Sequence, residues 1–261
     1  MSGLTAVLRR HGAALRAGEG PAVRVARGLR RRGSLLRERG DAVECPVCGG
    51  CFRRFKPHWN RPGAICWRCG AHERHRAVAL FWRRRPELLR DAQSLLHFAP
   101  EWCFRFTPLP PGLRYVTADL DPAKGDLVLD VRALALPDAA FGAIICSHVL
   151  EHVDRDRDAL AELRRVLDPG GWALLMVPQD LARAATLEDP AIVTPEARTA
   201  AYWQHDHVRL YGRDFADRAR AAGFAVESIA MADEAGPAAA ARHGLIAADV
   251  IHLCRPVPSV A

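Results

Sequence analysis

The chain of 261 residues is poor in lysine: of 37 basic side chains, only Lys56 and Lys124 are not arginine. So lopsided a choice marks a compositional preference, and arginine alone does not identify phosphate contacts here. No apolar run approaches the roughly 18–20 residues that a membrane-spanning helix needs. The N-terminus has arginines but no continuous apolar stretch and no small-residue cleavage signal, so no secretory leader is expected. Those absences point to a cytoplasmic chain with reduced thiols. Disorder of the whole chain is excluded, because 49% of it is hydrophobic. No internal repeat is visible.

What is present is unevenly distributed. Residues 1–40 carry ten arginines against Glu19 and Glu38, a balance of +8 within a net charge of +7, so the remainder is close to neutral. Two short helices are expected there, broken at Gly18-Glu19-Gly20-Pro21. Such an arm could touch RNA or an anionic membrane surface. No aromatic residue is interleaved to stack on bases, and the simpler reading is a solvated leader.

The cysteines give a sharper signal. Cys45-Pro-Val-Cys48-Gly and Cys66-Trp-Arg-Cys69-Gly stand with residues 49–65 between them. Each Cys-x-x-Cys closed by glycine can turn two thiolates toward one point. Two such knuckles supply the four soft ligands of a structural Zn²⁺ site, Cys45, Cys48, Cys66 and Cys69. A redox role for either pair lacks the βαβ surroundings it would need. Cys51 is left as a spare thiol. The expected organisation is a basic, partly helical leader over residues 1–42, a zinc knuckle over 43–72 and an α/β domain over 73–261.

Within the α/β domain, Ala143–Cys146 and Trp172–Val177 have the apolar character of buried parallel strands. Between them, Leu160, Leu163, Val166 and Leu167 repeat at helical spacing, and Pro169-Gly170-Gly171 follows as a stop. Further strands are expected at Leu95–Phe98, Tyr115–Asp119, Asp126–Val131, Ala225–Ala230 and Asp249–Cys254, with a helix over Arg213–Ala222. Residues 178–201, containing Pro190 and Pro195, could form a lid. Residues 232–243 are a low-information, alanine-rich connection.

The run Leu136-Pro137-Asp138, Phe141, His148–His152 and Leu167–Gly171 resembles the second half of a class I S-adenosylmethionine (SAM) methyltransferase domain of the methyltransferase type 11 group. The string from Cys66 to Arg76 resembles the opening of small bacterial-type members of that class with an N-terminal zinc knuckle. The resemblance implies a seven-stranded, doubly wound Rossmann-like sheet with an antiparallel last strand. It implies SAM as cofactor and SAM-dependent methyl transfer as activity.

The family's Gly-x-Gly loop after the first strand is missing: Phe98-Ala99-Pro100-Glu101 stands there. By the resemblance, Ala99 serves as the small residue and Glu101 faces the cofactor amine. Asp119, about 20 positions further on, matches the acid that grips the ribose diol. Asp130 matches the acid near the adenine amino group. Phe98, Pro100, Leu120, Val131 and Ser147 complete the expected cofactor set. A general base, needed only for a hydroxyl or weakly acidic N–H acceptor, would be His148, His207 or Tyr211, in that order. Glu151 and His152 are read as hydrogen-bonding within a helix start.

The acceptor is taken to be a small molecule. The alternatives are a zinc-knuckle RNA-binding protein or RNA methyltransferase with a degenerate cofactor loop, and a nicotinamide oxidoreductase. The last lacks its Gly-x-Gly-x-x-Gly. The oligomeric state is not legible.

Overall fold

The computed structural model describes residues 33–59 and 61–257. Of the Arg-rich arm over residues 1–40, to which the RNA contact was attached, residues 1–32 lie outside the described residues. Two short antiparallel hairpins come first: β1 (Arg39–Cys45) with β2 (Gly50–Phe52), and β3 (Lys56–His58) with β4 (Arg61–Ile65). Hairpins this small have little stability of their own. Here Phe52, Phe55 and Ala71 gather around Cys45, Cys66 and Cys69 in a miniature core. The module reaches back past residue 43, since β1 starts at Arg39 and the Arg53 amide donates to the Glu38 carbonyl.

Next come α1 (Glu73–Arg84) and α2 (Pro86–Asp91), the second opened by Pro86, whose missing N–H costs nothing at a helix start. The α/β sheet then runs through β5 (Ser94–Phe98), a 3-10 turn (Trp102–Phe106), β6 (Arg114–Asp119), β7 (Leu127–Val128), β8 (Phe141–Ser147), a second 3-10 turn (Leu150–His152), α3 (Asp156–Val166) and β9 (Leu167–Met176). It closes with α4 (Pro195–Tyr202), α5 (Phe215–Ala221), β10 (Phe224–Ala230), α6 (Met231–Ala235), α7 (Pro237–His243) and β11 (Val250–Pro256).

The seven strands lie in the order β7-β6-β5-β8-β9-β11-β10, parallel except for β11, which is antiparallel to both neighbours. Alternation along each strand separates the two faces. Leu96, Ile144 and Leu175 meet Leu160, Leu163 and Phe215 from α3 and α5. Leu95, Ile145 and Leu174 meet Val78, Phe81 and Trp82 from α1. The sheet is therefore doubly wound, as expected.

Three expectations need adjusting. The third strand pairs only over Leu127–Val128, because Asp126 turns its carboxylate back onto the Thr117 amide and hydroxyl. Leu167 is not the end of the helix; it opens β9, opposite Phe141. Residues 232–243 are not an idle connection. They form α6 and α7, and α7 grips the first hairpin: Arg242 donates to the Asp41 carbonyl and His243 Nδ1 lies 2.9 Å from the Glu44 carbonyl.

Arg76 locks the hairpins to the sheet. Its fully buried guanidinium donates to the carbonyls of Gly63, Ala64, Ala71, His243 and Gly244, with its plane 3.9 Å over the Phe55 ring. All its donors are used, which is the condition for burying such a group without a large penalty.

Candidate active site and metal centre

The four cysteines converge. Cys45 Sγ lies 3.6 Å from Cys69 Sγ, and Cys48 Sγ 3.8 Å from Cys66 Sγ. All four sulfurs are within 4.8 Å of one another. Disulfide-bonded sulfurs would be about 2.05 Å apart. Thiolates around one zinc with bonds of about 2.3 Å stand roughly 3.8 Å apart. The chemistry and spacing of the donors both fit Zn²⁺.

The knuckle turns explain the convergence. Gly49 and Gly70 sit at φ 68° and 71°, each returning its amide to the carbonyl of the first cysteine of its pair. That left-handed conformation is one glycine adopts readily. Cys51, the spare thiol, is exposed and outside the cluster.

At the carboxyl end of β5 the chain turns sharply with Ala99 at φ 45°, and its amide bonds the Ala118 carbonyl of β6. The residue standing in for glycine thus takes a glycine-like conformation, at a cost of order 1 kcal/mol. At the end of β8, His148 is also left-handed, at φ 55°. Two strained turns therefore face each other across the edge where doubly wound sheets bind ligands.

Glu101 lines a small cavity with His75 and Ser147. Its carboxylate turns under the loop, 3.2 Å from His75 Nε2 and 3.5 Å from His97 Nε2, and accepts from Ser147 Oγ. Burial would raise this carboxyl, but His75 and His97 hold it well below the usual range. His75 Nδ1 accepts the His72 amide, so Nε2 is the nitrogen that donates to Glu101. Ser147, expected to line the crevice, is spent on the same cluster. Pro100, beside it, is half-buried. Glu101 thereby ties α1, and the hairpins attached to it, to the floor of the site.

Asp119 is half-buried at the end of β6, with Oδ1 accepting the Asp121 amide. Leu120 beside it is 70% exposed, an apolar surface at the crevice edge. Asp130 is already engaged: Arg132 bonds both carboxylate oxygens and reaches on to Asp154. Phe98 and Val131 are buried in the core beneath the edge, so their side chains form its underlying support.

The three candidate bases separate. His148 lies at the edge, with Nδ1 3.1 Å from Glu151 Oε1. His207 is buried, and its Nδ1 bonds the Tyr202 carbonyl. Tyr211 is excluded as a base: it has no exposed surface, and its hydroxyl points inward to the Leu150 carbonyl and Asp156 Oδ2. Burial, first, and then Asp156 push its ionisation well up.

The loop over residues 204–212 crowds together two His, an Asp, an Arg and a Tyr, and reads from sequence as a substrate-side or fold-closing loop rather than a metal triad. It is held by Arg209, a residue with no separate role assigned from sequence. Its guanidinium donates to the carbonyls of Leu150, Val153 and Asp154 and to Glu188. That grip brings His207 against His152 and Glu151, with the two imidazole centroids 4.8 Å apart. A buried arginine gives no periodic signal in sequence. Only the carbonyls it meets reveal its role.

Residues 110–175 match the family described as "Methyltransferase domain". That match runs from β6 into β9, and the strand order is the one expected of a Rossmann-like methyltransferase sheet. The chain is also similar to a methyltransferase from Bacillus halodurans, at 14% identity over 68% of this chain and 99% of that one, with a TM-score of 0.45. It is similar to the Burkholderia thailandensis 1,6-didemethyltoxoflavin-N1-methyltransferase solved with S-adenosylhomocysteine, at 14% identity over 71% and 79%, TM-score 0.45. A third similarity is to a chain of the complex between the Haloferax volcanii Trm112 methyltransferase activator and a methyltransferase, at 16% identity over 68% and 90%, TM-score 0.44. No curated protein matches in sequence. Among the described residues no helix is long and apolar enough to cross a membrane.

Proposed function

We propose that this protein transfers the methyl group of SAM to a small-molecule acceptor at the carboxyl edge of the sheet, with Zn²⁺ held structurally by Cys45, Cys48, Cys66 and Cys69. The observation that carries the reading is Ala99 at φ 45°. The one loop that departs from the family pattern still makes the turn that glycine would make, so the departure does not argue for a dead site.

SAM supplies an electrophilic methyl with its own leaving group. The protein's part is then to align the two reactants and exclude water. In this reading Asp119 accepts both ribose hydroxyls, as a carboxylate can and a neutral side chain cannot. Leu120 offers its exposed side chain to the adenine ring. Asp130 acts at the adenine amino group while retaining Arg132, and backbone amides after Ala99 meet the methionine moiety. His148 is the base when the acceptor carries a proton to lose, because it alone of the three candidates stands at the edge.

Titration calorimetry with SAM, S-adenosylhomocysteine and NADH tests this. Binding of the first two and not the third is expected. Binding of none, or of NADH alone, would sink it. Asp119→Ala should weaken SAM binding more than tenfold, since each charge-assisted bond is worth about 1.5–3 kcal/mol. Unchanged affinity would move the ribose site elsewhere.

A further inference from the structure

Glu151 is unusual even among buried carboxylates. Its side chain is 1% exposed, and neither carboxylate oxygen has a hydrogen-bond partner among the described residues. Desolvating such a group without compensation costs several kcal/mol, so native proteins rarely leave it alone. His148 Nδ1 makes an ion-pair contact with Oε1 at 3.1 Å and leaves Oε2 unmet.

The surroundings are those of a ligand set. Donor atoms of Glu151, His152 and His207 lie within 4.8 Å of one another. His207 bonds the Tyr202 carbonyl through Nδ1, so Nδ1 carries the proton and Nε2 keeps its lone pair. That is how metal-binding histidines are commonly oriented, one nitrogen anchored to a backbone carbonyl and the other offered to the ion. His152 has a carboxylate neighbour of its own, Asp206 Oδ2 at 3.3 Å from Nδ1. The cluster is held from behind by the Val208 amide on the Glu151 carbonyl and by Arg209 on the carbonyls of Leu150, Val153 and Asp154.

We propose that Glu151, His152 and His207 form a second metal site, taking a divalent transition ion of the zinc class at the edge where β8 ends. One carboxylate and two imidazoles are a ligand set that suits such ions. Around an ion with bonds of about 2.0–2.1 Å, the donors stand roughly 3.4 Å apart. His152, exposed on a short turn, is the member free to close that gap. Three protein ligands leave a coordination position open, unlike the closed four-thiolate site. Any use of that position to hold an acceptor oxygen rests on the methyl-transfer reading above, whereas the binding of metal does not.

The experiment uses the full chain, stripped with chelator and re-equilibrated with zinc alone, with no SAM present. Two zinc equivalents per chain are expected, falling to one in His152→Ala and in His207→Ala. His205→Ala, a neighbouring exposed imidazole outside the cluster, should keep two. Cobalt substitution reports the sites separately: thiolate-to-metal absorption from the four-cysteine site should persist in the His152 variant, while the weaker bands of a nitrogen and oxygen site disappear. Glu151→Gln adds a readout that a misfolded variant could not imitate. It should melt as cooperatively as the parent in chelator, and the stabilisation that added zinc gives should shrink to the part contributed by the four-thiolate site. One equivalent in the parent, two in the His152 and His207 variants, or equal loss in His205→Ala would overturn the proposal. Failure of SAM to bind would leave these results unaffected and would count only against the methyl-transfer reading.

Discussion

The four-cysteine knuckle and the Glu151–His152–His207 cluster differ in how they are assembled. Each pair of knuckle ligands is brought together by a turn of five residues, closed by Gly49 or Gly70 returning its amide to the first cysteine. The second cluster takes two residues from the turn after β8 and one from a loop far along the chain, and Arg209 joins them through backbone carbonyls. A site made by local turns announces itself by spacing. A site made by a buried arginine does not, and it stands or falls with the packing around it.

The largest effect that separates the two regions is loss of the knuckle. Structural zinc contributes on the order of 10 kcal/mol to small zinc-folded modules. Cys66→Ser or a strong chelator should therefore unfold the hairpins, detected as rapid proteolysis between residues 39 and 72, while the sheet keeps a cooperative transition. A variant that retained protease resistance and stoichiometric zinc would show that four thiolates are not what holds the module.

Next in size is Arg209→Met. It takes the arginine donor from the Val153 and Asp154 carbonyls, one of several donors from the Leu150 carbonyl, and one of the two arginines on Glu188, and a loss of about 3–5 kcal/mol is expected in urea unfolding. If the cost is below about 1 kcal/mol, the loop is not assembled by Arg209 and the contrast with the knuckle fails.

A pH scan sharpens the same contrast. His252 is buried on β11, with Nε2 on Gln179 Oε1 and Nδ1 on Ser228 Oγ; Gln179 in turn donates to the Gly212 carbonyl beside Tyr211. Burial pushes its ionisation down from 6.5 to about 4. Between those values the unfolded chain binds a proton that the folded chain does not, so stability is full above about pH 6.5 and falls toward pH 4, by about 3 kcal/mol. His252→Leu should flatten that slope. An equally steep slope in the variant would assign the acid sensitivity to other groups.

The smallest expected effect is at the cofactor loop. Ala99→Gly removes a left-handed alanine but adds freedom to the unfolded chain, for a net gain of about 0.5 kcal/mol. SAM affinity should be unchanged or slightly improved. Loss of affinity would mean that the alanine methyl itself contacts the cofactor.

Much of the α/β domain was legible because its signals are local. Apolar runs gave the core strands, and spacing located the α3 face. The Leu136-Pro137-Asp138, His148–His152 and Leu167–Gly171 landmarks gave the resemblance. Where reading by position failed, long-range electrostatics was the cause. Position along the chain did not show that His75 from α1 and His97 from β5 would stand against the Glu101 carboxylate. Tyr211 was a candidate base until Asp156 and the Leu150 carbonyl took its hydroxyl. The alanine-rich connection looked empty because the partner of α7 is β1, almost the whole chain away.

The sequence by itself determined the four-thiolate set and the core parallel strands, since each follows from spacing along a few residues or from strand and helix periodicity. The tertiary structure alone decided that Ala99 could turn like glycine, that Arg76 would fasten the hairpins to the sheet, and that Glu151 would be left buried between imidazoles. Those outcomes depend on which carbonyls and charges meet across the fold. Backbone carbonyls are identical at every residue, so no pattern of side-chain letters marks the ones that a buried arginine will find.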